Sequence, residues 1–163
     1  MTSLPTWQRN IKDLHVFFEA WLGGSLPQDK VTVEPLNRAL VPSFVIIDPE
    51  GVVSTRALLM SNLYEGWGSR EGLRITTKNP TLRFENASMV VATYEEWQTY
   101  AGTERARLST VVFERLNAEK LNAEGLRWLH VHETWLRRRL ISPRRKSRLS
   151  GSQLIRISAF ACS

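Results

Sequence analysis

The chain has 163 residues, enough for one domain with a single core, and 42% of them are hydrophobic while 23% are charged. These proportions are typical of a folded globular protein rather than a disordered chain, and no apolar run approaches the roughly 18 residues that span a bilayer. Cys162 is the only cysteine, so no internal disulfide forms, and the N-terminus lacks the pattern of a secretory signal. We therefore expect a cytoplasmic protein.

The net charge of +6 is unevenly distributed along the sequence. Residues 137–163 hold eight basic residues and no acidic one, whereas residues 1–136 hold 14 basic and 16 acidic residues. We predict a basic, disordered tail over residues 137–163. Because this tail lacks interleaved aromatic residues, no specific nucleic-acid partner is expected, and non-specific attraction to phosphate is the alternative.

The first 66 residues predict three helices and one hairpin. In chain order these are a helix over residues 5–22, a helix over Val33–Leu40, a hairpin over residues 44–53 and a helix from Ser54 or Thr55 to Gly66. The apolar residues of the first segment recur at the spacing of an amphipathic helix, with Thr6 as the expected N-cap and Gly23-Gly24 as its end. The hairpin turn is expected at Asp48-Pro49-Glu50-Gly51.

Residues 73–136 predict four long strands. They are Leu73–Phe84 with an interruption at Pro80, Ala87–Tyr100, Arg105–Asn117 and Leu126–Leu136. Because these strands follow one another directly, an antiparallel meander is the simplest pairing. The order of helices first and strands last predicts an α+β domain over residues 1–136, with N-terminal helices packed on a strongly curved antiparallel sheet.

The last predicted strand contains Trp128-Leu129-His130-Val131-His132. It resembles the closing strand of the calcium/calmodulin-dependent protein kinase II association domain and its small bacterial relatives, within the nuclear-transport-factor-2-like superfamily, also described as SnoaL-like or cystatin-like. Three upstream segments fall at matching intervals: Thr77–Leu82, Val90–Tyr94 and Ser109–Arg115. The resemblance covers residues 5–136.

This resemblance implies a cone-shaped domain with a pocket between the sheet and the first helix. It also implies a homodimer made by packing sheet faces, with larger rings among the kinase relatives. Steroid isomerases, polyketide cyclases and binding-only proteins share the fold, so the fold does not decide the activity. The kinase domain places arginines suited to an anion in the pocket, but the aligned positions here are Glu95 and Val111, which departs from that pattern.

His130 and His132 are the candidate catalytic residues. Alternate strand residues share a face, so both histidines are predicted to point the same way as Trp128, with Glu133 on the opposite face. The strand rise alone would separate the two imidazoles by about 6–7 Å. Such a pair could act as general acid and base near neutral pH, or the two residues could be hydrogen-bonded structural members of the sheet.

Five further residues are candidate ligand-binding residues: Tyr94, Glu95, Trp97, Arg107 and Trp128. Arg107 is expected either to present a cation in the pocket or to be a solvated charge near a strand end. Glu95 is expected to share a face with Trp97 and to contact the ligand, or else to form a cross-strand ion pair. The tryptophans are interpreted as core, dimer interface or ligand cage.

No cofactor and no metal site are predicted. The histidine pair lacks a defined third ligand, because nothing in the sequence selects among Glu95, Glu96 and Glu114. His15 on the first helix is interpreted as a packing or surface residue. No phosphate-binding glycine loop or nucleophile elbow occurs, and the strand aspartates of steroid isomerases have no counterpart on the long strands.

Three functions remain open at this point. The first is a homodimeric, pocket-bearing domain that binds a small organic molecule, with or without simple acid–base chemistry at His130 and His132. The second is an oligomerisation module without catalytic activity, and the third is a cofactor-free isomerase or cyclase. The expected partners are a second copy of the chain, in a dimer or a larger ring, and a small-molecule ligand.

Overall fold

A computed structural model describes residues 4–116 and 125–136, so the predicted tail and the turn after the third long strand lie outside the described residues. The elements, in chain order, are α1 (Thr6–Leu22), α2 (Lys30–Ala39), β1 (Leu40–Ile47), β2 (Val53–Thr55), α3 (Arg56–Glu65), β3 (Arg74–Glu85), β4 (Met89–Tyr100), β5 (Thr103–Arg115) and β6 (Leu126–Trp135). None of the three helices is long and apolar enough to cross a membrane.

Helices α1 and α3 lie where the sequence predicts them. Helix α2 spans Lys30–Ala39 rather than the predicted Val33–Leu40, because Asp29 caps its start and the chain is already extended at Leu40. The N-cap of α1 is Pro5, so the prediction that Thr6 caps this helix is wrong. Thr6 is instead the first helical residue, and its hydroxyl accepts a hydrogen bond from Arg9. Thr55 caps α3, because its side-chain oxygen accepts a hydrogen bond from the amide of Leu58. This amide is one of the donors that have no partner within the helix itself.

The six strands form one mixed sheet in the order β2-β1-β6-β5-β4-β3. The strands β3 to β6 pair as the predicted antiparallel meander. The short hairpin of β1 and β2 joins this meander, because β1 pairs in parallel with β6. The expectation of a wholly antiparallel sheet is therefore corrected at one strand pair, which lets the N-terminal half cover the inner face of the meander.

A bulge in β6 changes which residues share a face. Phe113 of β5 pairs with Trp128 and Val112 pairs with His130, so Leu129 is an extra residue with no partner on β5. Trp128 consequently lies on the buried inner face with Glu133, and the histidines lie on the outer face. The prediction that Trp128 shares a face with His130 is wrong, because simple alternation does not anticipate the extra residue.

Helix α1 is anchored to the inner face through Trp21, which is fully buried. Its indole nitrogen donates to the carbonyl of Leu63 at 2.6 Å, and Phe17 stacks on its ring with 5.9 Å between centroids. The carboxylate of Glu19 also accepts from the amide of Ile75 at 2.7 Å, which ties the helix to β3. The opening helix is therefore a fixed roof over the sheet.

Replacing Trp21 with Ala should lower the free energy of unfolding by about 3–5 kcal/mol, because it leaves a large cavity and an unpaired carbonyl under α1. Chemical denaturation followed by circular dichroism measures this loss. The matched control is Val16→Ala on the same helix, where the side chain is 59% exposed and the expected change is within about 0.5 kcal/mol. Similar losses in the two variants would show that α1 is not anchored through its inner face.

Candidate functional site

Four ionisable side chains meet on the buried inner face of the sheet: His15, Glu96, Arg107 and Glu133. We call them the ionic cluster. They come from α1, β4, β5 and β6, and each is at most 5% exposed. The strand register brings them together, because Glu96 pairs with Arg107 across β4 and β5, and Glu133 pairs with Ser109 across β5 and β6. Charged residues are rarely buried this deeply without partners.

Arg107 is the centre of the cluster. Its Nη2 donates to Glu96 Oε1 at 2.6 Å, and its Nη1 lies 2.9 Å from Glu133 Oε2. The second contact is close enough for an ion pair but is not aligned as a hydrogen bond, since Oε2 of Glu133 has no hydrogen-bond partner. The guanidinium is therefore held firmly by one carboxylate and more loosely by the other.

The hydrogen bonds of His15 define where its protons lie. Its Nδ1 is 2.6 Å from the carbonyl oxygen of Ile11, which can only accept, so Nδ1 carries a proton. Its Nε2 is 2.9 Å from Glu96 Oε2. This contact gives Glu96 a second buried partner besides Arg107.

The two carboxyl groups of the cluster have opposite electrostatic environments. Burial disfavours the charged form of Glu96, but Arg107 and His15 outweigh it and hold the pKa of Glu96 well below its usual range. Glu133 has less compensation, so burial raises the pKa of Glu133 to about 7 despite the attraction of Arg107. One acid is thus permanently ionised, and the other changes its charge near neutral pH.

Neutral side chains complete the surroundings of the cluster. Gln98 donates to Glu96 Oε1 at 2.5 Å, and the hydroxyl of Ser109 donates to Glu133 at 3.4 Å, a long and weak contact. The ring of Tyr94 packs edge-on against His15 with 5.1 Å between centroids, and burial raises the pKa of its phenol well above the ordinary value. These contacts help to position Glu96, Glu133 and His15 on the inner face.

The inside of the cone is almost filled by side chains. The space left between α1 and the sheet, beside His15, Tyr94 and Glu133, has a volume of about 30 Å³. That is the share of liquid volume taken by roughly one water molecule. The resemblance implies a wide pocket between the sheet and the first helix, but beside Tyr94 and Glu133 the interior holds only this void. A separate groove of about 340 Å³ lies between α1 and β3.

Another space lies beside the turn that joins β4 and β5, and we call it the hairpin cavity. It has a volume of about 280 Å³. Its lining residues are Arg70, Glu96, Gln98, Tyr100, Ala101, Thr103, Arg105, Ala106, Arg107 and Trp135. Glu96 and Arg107 line both this cavity and the interior void, so they form a partition between the two spaces.

The five predicted ligand-binding residues are divided between the two faces of the sheet. Tyr94, Arg107 and Trp128 are buried on the inner face. Glu95 and Trp97 lie on the outer face, where the indole of Trp97 donates to Glu95 at 2.8 Å. Hydrogen bonds from Asn79 and Trp97 lower the pKa of Glu95. Of the five, only Arg107 lines the hairpin cavity.

The predicted catalytic histidines also lie on the outer face, away from the ionic cluster. His130 pairs with Val112 and His132 pairs with Thr110 across β5 and β6. His132 is exposed and His130 is half-buried. Acid–base chemistry by this pair remains a prediction, and it would concern a molecule on the outer face rather than one in the hairpin cavity.

Sequence reasoning missed three members of the ionic cluster. From the sequence, we treat Glu96 only as one of several possible metal ligands and His15 as a packing or surface residue. Glu133 is placed on the face opposite the histidines and is given no functional role. Alternation from Tyr94 places Glu96 on the buried face, and that signal was available in the sequence. Within residues 4–116 and 125–136, no group of three or more potential ligands is arranged to hold a metal ion.

A helix-roofed sheet with a buried ionic cluster and a cavity at one end defines a cone-shaped α+β domain. No protein-family model matches the chain. An NTF-2-like protein of unknown function from Pseudomonas aeruginosa superposes with a TM-score of 0.72 at 29% identity, over 80% of this chain and 98% of that one. The chain therefore has the nuclear-transport-factor-2-like fold, as the sequence resemblance implies.

Kinase association domains are also among the similar structures. A putative calcium/calmodulin-dependent protein kinase type II association domain from Thiobacillus denitrificans superposes with a TM-score of 0.59 at 19% identity, over 84% of this chain and 100% of that one. The CaMKII hub of S. rosetta gives a TM-score of 0.59 at 14% identity, over 83% and 99%. At these identities the likeness concerns the fold alone.

The curated relatives are longer proteins, and the chain matches only a part of each. Sucrose-phosphatase 2 from Nicotiana tabacum is 25% identical over 124 residues, which is 75% of this chain and 29% of that protein. Sucrose-phosphatase 1 from the same plant gives 25% identity over 126 residues, again 29% of its length. The chain thus spans less than a third of the length of the curated relatives that it matches.

Replacing Glu96 with Gln should lower the free energy of unfolding by about 3–5 kcal/mol, because it leaves Arg107 and His15 buried without their shared carboxylate. The neighbouring substitution Glu95→Gln, on the outer face, is the matched control and should cost less than about 1 kcal/mol. Equilibrium urea denaturation of both variants measures the difference. Equal losses would contradict the assignment of Glu96 as the anion that compensates the cluster.

Proposed function

We propose that this domain binds a small organic molecule in the hairpin cavity. The observation that carries the proposal is a concave space of about 280 Å³ that has aromatic walls and a polar floor of Glu96 and Arg107, and whose lining also includes Arg70 and Arg105. Ligand sites are typically concave and mostly apolar, with a few well-placed polar groups that orient the ligand. Because the cluster already holds both floor residues through short contacts, they need no rearrangement to meet a ligand.

The size of the cavity limits the ligand. Ligand pockets typically measure about 300–1,000 Å³, so this cavity lies at the small end of that range. Tyr100 and Trp135 supply aromatic walls, which suits a compact molecule with one flat apolar part. The Nε1 of Trp135 donates to Glu50 at 3.0 Å, which helps to fix this wall.

Binding is better supported than turnover. The cluster acid whose pKa lies near neutrality, Glu133, borders the interior void of about 30 Å³ and not the hairpin cavity. A general base must come within hydrogen-bond reach of the proton that it removes. A cofactor-free isomerase or cyclase is therefore the less favoured function, and neither the hairpin cavity nor the interior void is lined by His130 or His132.

Replacing Trp135 with Ala should weaken small-molecule binding at least about fivefold, because it removes one wall of the hairpin cavity. Candidate ligands come from a fragment library screened by thermal shift, and isothermal titration calorimetry then measures their affinities. Trp97→Ala on the outer face is the control and should leave binding unchanged. A larger effect of Trp97→Ala would place the ligand on the outer face and contradict the proposal.

Self-association is a second candidate function, which the outer face of the sheet favours. This face carries half-buried or exposed apolar and threonine side chains: Val45, Val91, Thr93, Leu108, Thr110, Val112 and Thr134. Nothing in the described residues covers it, and association and hub domains are among the proteins with this fold. We propose that a second copy of the chain packs against this face, with His130 and His132 inside the contact.

Replacing Thr110 with Arg should convert the dimer to monomers, because a two-fold contact would bury two like charges near its centre. Sedimentation velocity over a range of protein concentrations measures the change. Ser61→Arg on α3 introduces the same charge on an exposed helix surface and should leave the dimer intact. A Thr110→Arg protein that sediments like the parent would rule out this face as the interface.

A further inference from the structure

The charge of the ionic cluster depends on a single carboxyl group. Arg107 is a cation and Glu96 is held as an anion. Glu133 is the weakly held member, because Ser109 contacts one of its oxygens at 3.4 Å and the other oxygen has no hydrogen-bond partner. Protonation of Glu133 therefore makes the charge of the cluster more positive by one unit.

The groups that face Glu133 come from every element packed around it. Arg107 and Ser109 belong to β5, Tyr94 and Glu96 to β4, and His15 to α1. The remaining walls of the interior void, from α1, α2, α3, β1 and β6, are apolar: Leu14, Phe18, Leu36, Leu40, Phe44, Ile46, Leu59, Trp128 and Val131. Only the members of the cluster can therefore compensate a change of charge at Glu133.

Arg107 connects this charge to the hairpin cavity. Its guanidinium contacts Glu133 on the side of the interior void, and the same residue lines the hairpin cavity. With Glu133 ionised, the charge of Arg107 is shared between two carboxylates. With Glu133 protonated, Arg107 keeps only Glu96 as a charged partner, so an anion in the cavity within a few ångströms of Arg107 could take the place of the lost carboxylate charge in a low-dielectric setting.

We propose that the hairpin cavity binds a small organic carboxylate with an apolar, aromatic body, and that binding is coupled to protonation of the buried carboxyl of Glu133. This inference rests on the proposed function, since it requires that the hairpin cavity binds a small molecule. The carboxylate lies toward Arg107, and the body lies between Tyr100 and Trp135. Glu133 touches no ligand and acts through Arg107, which makes it a positioning residue.

The direction of the pH dependence follows from the cluster charge. Burial raises the pKa of Glu133 to about 7, so this group is mostly neutral at pH 6 and mostly ionised at pH 8. A carboxylate that binds at pH 8 must either face a second ionised carboxylate on Arg107 or be accompanied by uptake of a proton at Glu133. Its affinity therefore falls as the pH rises through neutrality, and proton uptake accompanies binding in the upper part of that range.

The test uses benzoate as the probe and its uncharged analogue benzamide as the control. Isothermal titration calorimetry at pH 6 and pH 8 should give at least about fivefold tighter binding of benzoate at the lower pH, with no such change for benzamide. In Glu133→Gln, benzoate should bind equally at both pH values, with the affinity that the parent shows at pH 6. Titrations of the parent in two buffers of different ionisation enthalpy should show proton uptake at pH 8.

Each other outcome has a separate meaning. If benzamide binds but benzoate shows no preference and no pH dependence, the inference fails and the proposed small-molecule site stands. If neither probe nor any library fragment binds, both fail. If the pH dependence of benzoate binding survives in a folded Glu133→Gln protein, Glu133 is not the coupled group and the inference is overturned. The buffer-dependent proton uptake needs no variant, so its absence overturns the inference even if Glu133→Gln does not fold.

Discussion

The structure depends on the burial of one guanidinium between two carboxylates. A charged Arg107 inside a protein is tolerated only where anions and hydrogen-bond acceptors replace the water that it loses. Glu96 supplies a short hydrogen bond at 2.6 Å and Glu133 supplies the second contact. Because these acids come from the strands on either side of β5, the meander can place Arg107 inside only when both neighbouring strands are in the correct register.

The bulge at Leu129 is what allows Trp128 and Glu133 to share the inner face. Without an extra residue, the strand that buries Trp128 would direct Glu133 to the opposite side. The bulge thus lets one strand serve the apolar core near its start and the ionic cluster near its end. Helix α1 closes the arrangement, because His15 reaches Glu96 only when Trp21 and Glu19 hold the helix against the sheet.

The elements were predictable where a strong local signal exists, and the site was predictable only in part. The apolar stripe of α1 and the turn residues between long strands predicted most element positions and the α+β order. The face of each β6 residue was not predictable, because the bulge depends on pairing with β5 and has no local sequence mark. The interior void was also beyond the sequence, because packing between distant residues such as His15 and Tyr94 decides its volume.

Strand β3 is an outer edge of the sheet, with backbone groups available for pairing along its free side. Its ladder with β4 is interrupted between Lys78 and Thr81, where Asn79 has a φ of 52° and Pro80 has no amide hydrogen to donate. A foreign strand could therefore not extend along the whole length of β3. An interrupted edge of this kind is one of the ways in which proteins limit edge-to-edge pairing between sheets.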